Sequence, residues 1–444
     1  MTWCFDRFRT WLHACFNPQR PLFEDRVKLV QRQMNRAGGM VVSATSNHEY
    51  GLPRLPFSKI DLSWFDDIEY HANGDTVTVG SAVTIHQLLS VLFKLNLTLA
   101  VVPDLGHLTM GGIVAGIGGG SKSFKNGYFH EIITEMDVLL KTGELLTLNH
   151  RDELFYAMAN TLGTLGYILR MKIKVISLPA KLVTTENLRF SNWADFEAEM
   201  KARRNDDRTE FLDGTIFSPS EFVLVVGKYT KNSFLKLDNF VNGQIYWQSI
   251  RTDYTHTFKL MDYIYRWNTD LYYTTHSIPG RLGKFLRTTW WRKFVPQSAL
   301  VCIKRLVASA MPKNTVQEIV QDVLIPTHRA GEFFEWFCKT TPVFPVYICP
   351  AKTTSSRFFF WKDSKVVDFG IGYGIDTPNA KEKTRQIEQK MLELGGKKLL
   401  YSRTQLSAEN FWKIHDTENK YKALFERCNP YSYVQVTTHD KVSV

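Results

Sequence analysis

Apolar positions in EDRVKLVQRQMNRA, 24–37, recur every three or four residues, which predicts a helix. Gly38-Gly39 then stop it before a short apolar run, Met40 to Val42, that reads as a strand. The loop that follows, SATSNHEYGLPR at 43–54, is small and polar, of the kind whose backbone amides can face a phosphate. Strict alternation in DTVTVGSAV, 75–83, predicts a half-buried strand. TIHQLLSVLFKLNL after it returns to helical spacing, with Thr84 as its N-cap. Ahead of these elements, Phe5, Phe8, Trp11 or Leu12, and Cys15 or Phe16 form an aromatic stripe with Arg7, Arg9 and His13 between them. Such an amphipathic stretch can lie in the headgroup plane of a membrane or pack on its own domain. A second cationic aromatic stretch, RLGKFLRTTWWRKF at 281–294, favours the membrane, since five of its fourteen residues are Arg or Lys around Trp290 and Trp291.

At 444 residues the chain exceeds the roughly 250 to 300 that one core supports, so at least two domains are expected. The excess of 55 basic over 44 acidic residues, +11, favours anionic partners without choosing among phosphate, lipid and nucleic acid. Six cysteines (Cys4, Cys15, Cys302, Cys338, Cys349, Cys428) form no CxxC pair and lack companion histidines, so neither a metal site nor a disulfide framework is expected. They read as reduced thiols of the cytoplasm. No uninterrupted run of about 18 apolar residues offers a spanning helix, and no secretory signal is present, so any membrane contact is expected to be peripheral.

The most informative stretch is VVPDLGHLTMGGIVAGIGGGSKSFKNGYFHEIITEMDVLLKTG, 101–143, with six glycines within Gly111 to Gly120. Backbone so bare can approach a pyrophosphate closely, or it can simply be a turn packed between layers. A dinucleotide-binding GxGxxG is absent, because Gly116 and Gly118 are followed by Ser121, and Gly118 and Gly120 by Ser123. A Walker loop is absent as well.

The order of the parts around this stretch decides between them. GGIVAGIGGGSKSFKNGYFHEIITEMDVLLKTGELL followed by DELFYAMANTLGTLGYILRMKIKVISLP at 152–179 resembles the FAD-binding domain of the flavoprotein superfamily of vanillyl-alcohol oxidase and p-cresol methylhydroxylase (PCMH type). The shared layout is a phosphate loop, GGxxAxxxG, Gly127, an acidic residue before a valine strand (Asp137-Val138), the turn Gly143 and a closing GTLGxI. Further on, DYIYRWNTDLYY at 262–273, QDVLIPTHRAGEFFEWF, FPVYICP, VDFGIGYG and LLYSRTQLSAENFWKIHD resemble the delta-24 sterol reductase branch. The resemblance implies an α+β fold, with an N-terminal segment at 1–20, a PCMH-type FAD-binding domain of two α/β subdomains at 21–180 and an α+β substrate domain at 181–444. It implies FAD held near Ser43, Thr45, Ser46, Asn47 and His48, near Thr109, Gly111, Gly112, Gly116, Gly118, Gly119, Gly120 and Ser121, and near Gly127, Gly163, Gly166 and Ile168. Some relatives bond a loop histidine covalently to the flavin. His48 lies in TSNHEY rather than GGH, so a solvated histidine and non-covalent FAD are expected.

The implied reaction is reduction of an isolated carbon–carbon double bond in a sterol-like or isoprenoid molecule, with NADPH as a possible reductant. Such an alkene needs a proton donor. Asp262, Arg266 and Asp270, four apart, would share one face of a helix, and Asp270, Tyr273, Tyr373 and Tyr401 are the candidate donors. Tyr347 in FPVYICP is a further hydroxyl. A flavin oxidase of alcohols or aldonolactones shares the same FAD domain and stays open as an alternative. Nucleic acid is not an expected partner, since only the net charge speaks for it. The oligomeric state is left open by the sequence.

Overall fold

The computed structural model describes residues 21–37, 41–43, 58–72, 75–231, 237–238, 246–269, 319–353, 364–372, 377–416, 420–429, 439–440 and 443. The helix expected at 24–37 runs Phe23–Ala37 and buries Val27, Val30 and Met34, its three- and four-residue stripe, against Ile60, Leu62, Phe65 and Leu169. Val41–Ser43 pairs in parallel with Ser58–Ile60. An antiparallel sheet follows, with strand order Ile68–His71, Thr76–Gly80, Tyr167–Lys174, Ile133–Leu139, Leu145–Asn149. The alternation read at 75–83 places Val77 and Val79 in the core. Thr84 caps helix Ile85–Lys94 in a reciprocal box: the Gln87 amide donates to Thr84 Oγ1 at 3.3 Å, and the Thr84 amide donates to Gln87 Oε1 at 2.9 Å.

Residues 178–181 lead into a second antiparallel sheet. Its strand order among the described residues is Thr255–Lys259, Leu182–Phe190, Glu221–Thr230, Phe211–Ser218, Val346–Lys352, Lys365–Ile371, Gln321–Pro326, Lys397–Lys398. One face is apolar and carries helices Trp193–Arg204, Ala330–Thr340 and Ala380–Glu393. Trp193 stacks on Phe334 at 4.8 Å, and Phe333 meets Phe369 at 4.8 Å. At the sheet's edge a buried ion pair joins Lys398 to Glu388 of the third helix, 2.7 Å apart. The chain then returns to the first sheet, where Tyr421 donates to Thr164 Oγ1 at 3.0 Å and the Leu400 amide donates to Asn160 Oδ1 at 2.9 Å. The result is the α+β architecture expected from the sequence. Among the described residues no helix is long and apolar enough to cross a membrane.

The two sheets are joined by a buried charge cluster. Arg266 lies between Asp104, just ahead of the glycine stretch, at 3.3 Å, and Asp213 of the second sheet, which it touches directly. Tyr347 donates to Asp104 at 3.2 Å. Up to residue 269 this corrects the charged stripe expected over 262–270, because the helix is broken between Asp262 and Arg266; Asp270 lies outside the described residues. The helix ends at Ile264, a 3-10 turn takes over at Arg266, and the guanidinium meets Asp104 and Asp213, carboxylates far off in sequence. Burial works against the Arg266 charge. Tyr263, Asp213 and Asp104 around it more than compensate, so it stays protonated. Burial, opposed by Arg266 and reinforced by Asp104, pushes the Asp213 carboxyl up to about 6.

Removing one member of such a cluster strands the others in a poorly solvating interior. Arg266→Met should therefore lower unfolding stability by about 3–5 kcal/mol in urea titrations, and a change within about 1 kcal/mol would mean that the cluster does not hold the sheets together.

Candidate active site at the sheet junction

The glycine stretch divides into two kinds of glycine. Thr109 stays extended and leads into helix Met110–Gly116, whose first turn is tied down by Met110 N–H to Val83 O at 2.8 Å and Gly111 N–H to Ser81 O at 3.0 Å. A Cβ on Gly111 would sit 3.0 Å from Ser81 Cβ. On Gly118 it would meet Ile113 at 2.6 Å, on Gly119 the Tyr128 ring at 3.0 Å, and on Gly120 the Val102 carbonyl at 2.5 Å. Those four are needed for close internal packing. Gly112 and Gly116 differ, since a Cβ there would meet only Thr109 Oγ1 at 3.0 Å and Tyr401 Cβ at 3.4 Å, respectively. Four residues apart, they share one helix face and leave a strip of bare backbone.

The second sheet turns its polar face to this stretch. Cross-strand pairing sets Thr215 opposite Tyr347, Cys349 opposite Asp368, and Asp322 opposite Gly370. Because side chains alternate, Asp213, Thr215, Tyr347, Cys349, Asp368 and Asp322 therefore occupy a single face. Cys349 donates its thiol to Gly120 O at 3.3 Å, and the Leu212 amide donates to Ser121 O at 2.7 Å. Tyr263 donates to Ser121 Oγ at 3.2 Å. Beside Ser121, Lys122 and Arg266 the junction leaves a void of only about 10 Å³, room for about one water.

Tyr401, whose Cβ lies across from Gly116, donates its hydroxyl to Asp322. Asp368, one strand over, is 7% exposed, and its Oδ1 has no hydrogen-bond partner among the described residues. Burial and the neighbouring Asp322 push the Asp368 carboxyl well above the ordinary carboxylate range. Burial and the proximity of Asp368 likewise raise the Tyr128 phenol and the Cys349 thiol, so both stay protonated.

Of the residues singled out in the sequence, Thr109, Gly112, Gly116 and Tyr401 come together at this strip. Gly111, Gly118, Gly119, Gly120 and Ser121 form its packed support. Gly127, at φ +79°, receives the Glu131 carboxylate that accepts from the Tyr128 amide at 3.0 Å. Gly163, at φ +70°, makes a turn, Gly166 packs beneath Val138, and Ile168 is buried in the first sheet. Ser43 ends its strand. Thr45, Ser46, Asn47, His48, Asp270, Tyr273, Tyr373, the stretch 1–16 and the stretch 281–294 lie outside the described residues. Sequence reasoning missed Asp368, Asp322, Asp104 and Asp213. The signal for the first was present: in KVVDFGI a lone carboxyl occupies an alternate position of an otherwise apolar strand.

These features suit a flavin. Gly112 offers exposed bare backbone, Gly116 lies buried beside Tyr401, and the Ser81 hydroxyl beside Gly111 is buried with no partner among the described residues. The FAD binding domain family matches residues 24–149. The chain is 26% identical to the Delta(24)-sterol reductase of Mus musculus, over 92% of this chain and 84% of that one. It is 25% identical to the Homo sapiens protein of that name over the same shares. With the Pisum sativum protein of that name the identity is 23%, over 83% of this chain and 73% of that one.

Gly112→Val should purify folded, with an unchanged circular dichroism spectrum, but with flavin absorbance per protein reduced at least about tenfold, because the new side chain fills the strip without striking backbone. Gly120→Ala should instead lose the folded state. A fully yellow Gly112→Val protein would remove the strip from the cofactor site.

A second expectation concerns pH. A carboxyl whose folded pKa is raised favours folding fully below its unfolded value of about 3.9, and this contribution is lost as pH rises towards the folded value. Asp368→Asn lacks that loss. Its stability relative to the parent should therefore increase between about pH 5 and about pH 8, read from urea midpoints, and a constant difference would mean that Asp368 titrates normally.

Proposed function

We propose that this chain, an FAD-dependent oxidoreductase with a PCMH-type flavin domain, reduces an isolated carbon–carbon double bond in an apolar, sterol-like or isoprenoid molecule. The observation that carries the reading is the placement of Tyr401 and the carboxyl-bearing sheet face against the bare glycine strip. An isolated alkene has no neighbouring carbonyl to accept charge, so its reduction needs a proton held in a dry place. This face holds several. The similarity to Delta(24)-sterol reductases along nearly the whole chain supports the same choice.

Thr109, the Gly112 and Gly116 backbone and the Ser81 hydroxyl are the groups that would hold the flavin. When bound and reduced, FAD supplies a hydride. The protein's own part is to exclude water by close packing at the junction, to keep a proton ready on the sheet face and to offer aromatic faces, Tyr128 and Tyr401, to positive charge developing on carbon. General acid assistance of this kind contributes on the order of 10²–10⁴ in rate. In this reading FAD is held without a covalent bond and NADPH reloads it by transient docking. The aromatic cationic stretches at 1–16 and 281–294 would rest on the cytoplasmic surface of a membrane, from which an apolar substrate enters.

The test is anaerobic. Purified protein is photoreduced and mixed with a sterol unsaturated in its side chain, with its saturated counterpart, or with oxygen. Return of the oxidised flavin spectrum with the unsaturated sterol alone among the two sterols, together with the saturated product by mass spectrometry, is the expected result. Reoxidation only by oxygen, coupled to flavin reduction by an alcohol or aldonolactone, would assign an oxidase instead.

A further inference from the structure

We infer that Asp368 is the proton donor of this site and that Asp322, held by Tyr401, is the positioning residue that keeps it ready; the inference rests on the alkene reading above. Among the groups of the sheet face the geometry narrows the choice. Tyr401 gives its hydrogen to Asp322, Tyr347 gives its hydrogen to Asp104, and Cys349 gives its hydrogen to Gly120 O. Each of these donors is already committed. Asp368 lies on the same face, is more than nine-tenths buried and keeps a carboxyl oxygen unpartnered among the described residues. Its position is fixed from both sides by pairing, with Cys349 opposite on one strand and Leu324 on the other.

The groups that set its protonation come from every neighbouring element. Asp322 stands diagonally across from it on the adjacent strand, Cys349 lies directly opposite, and Tyr128 approaches from the glycine side. Tyr401 reaches Asp322 from beyond the sheet, the buried Lys398 ammonium is the cation whose charge acts on Asp322, and Arg204, held by the Ala351 and Val366 carbonyls, is the cation whose charge reaches Cys349 and Tyr128. Burial lowers the Lys398 ammonium, which is shared with Glu388, so its pull on Asp322 is partial. An Asp322 that accepts from Tyr401 is stabilised as the carboxylate, and its charge discourages a second one beside it. Two carboxyl groups with one proton between them divide the roles: Asp322 stays ionised while Asp368 holds the hydrogen.

In the step proposed, the Asp368 O–H bond, the alkene π bond and the bond that would hold the hydride on the reduced flavin break, and two C–H bonds form. One alkene carbon takes the Asp368 proton and the other takes a hydride from the reduced flavin. Two electrons leave the flavin, and the Asp368 carboxylate regains its proton from solvent before the next turnover.

The experiment uses flavin-loaded protein. In anaerobic single turnovers with an unsaturated sterol, Asp368→Asn should lose at least about 100-fold in rate with its flavin content retained. Asp322→Asn should keep the reaction but shift the alkaline limb of its pH profile to lower pH, because removing the neighbouring charge lets Asp368 ionise more readily. A merely structural role for Asp322 would not move that limb. Infrared spectra of the parent protein at neutral pH, with and without flavin, should contain a protonated carboxylic acid band that is missing from Asp368→Asn. The infrared result does not depend on the reaction, and the Asp322 variant covers the case in which Asp368→Asn fails to fold. Single-turnover rates for Asp368→Asn within about threefold of the parent, an unmoved pH limb in Asp322→Asn, or the absence of the infrared band would each overturn the assignment. A parent protein with the infrared band but no reaction with any sterol alkene would instead overturn the alkene reading, and with it the role of Asp368 as donor.

Discussion

The contact between Arg266 and its two carboxylates sets the geometry on which everything else in the molecule depends. One guanidinium, fully enclosed, touches Asp104 from the glycine side and Asp213 from the second sheet. Burying three charges is costly, and the cost is recovered only when all three are in place. The sheet therefore has one seating against the glycine stretch rather than a range of them. Tyr347 to Asp104, Cys349 to Gly120 and Leu212 to Ser121 are made within that seating, and it brings Asp368 and Asp322 to the same side as the bare helix strip.

Much of the local structure was legible in the sequence. The stripe at 24–37, the alternation at 75–83 and the Thr84 cap are short-range patterns whose physics acts within a few residues, and each formed where the spacing put it. The glycine density also pointed to the right stretch, although it could not distinguish Gly112 and Gly116 from Gly118 and Gly120. That difference depends on Val102, Pro103, Tyr128 and Tyr401 being brought alongside. The charged stripe at 262–270 failed for a related reason. Helical spacing predicts partners four residues away, whereas Arg266 has partners 162 and 53 residues away that no local pattern could indicate.

The acidic residues of the second sheet illustrate the same limit from the other direction. Asp322 and Asp368 are 46 residues apart in the numbering, and only the register between their strands makes them neighbours. Alternation within KVVDFGI could flag Asp368 as a carboxyl on one face of a buried strand. Which face meets the flavin domain is decided by the helices that cover the other.

The two-residue strand Lys397–Lys398 has a consequence for how the chain behaves outside its folded state. It borders the strand QDVLIP, 321–326, whose apolar backbone edge would otherwise be an inviting template for another chain. The stub covers Val323 and Leu324, with the Leu399 amide bonding the Asp322 carbonyl beside them, and the Lys398 ammonium is fastened behind it to Glu388, so the edge is closed by a short lysine-bearing segment. Among the described residues, protection of this edge against intermolecular β-pairing thus rests on a segment late in the chain. During synthesis, or after proteolytic trimming ahead of residue 397, the long sheet would stand with that edge uncovered, and self-association would compete with the last step of folding.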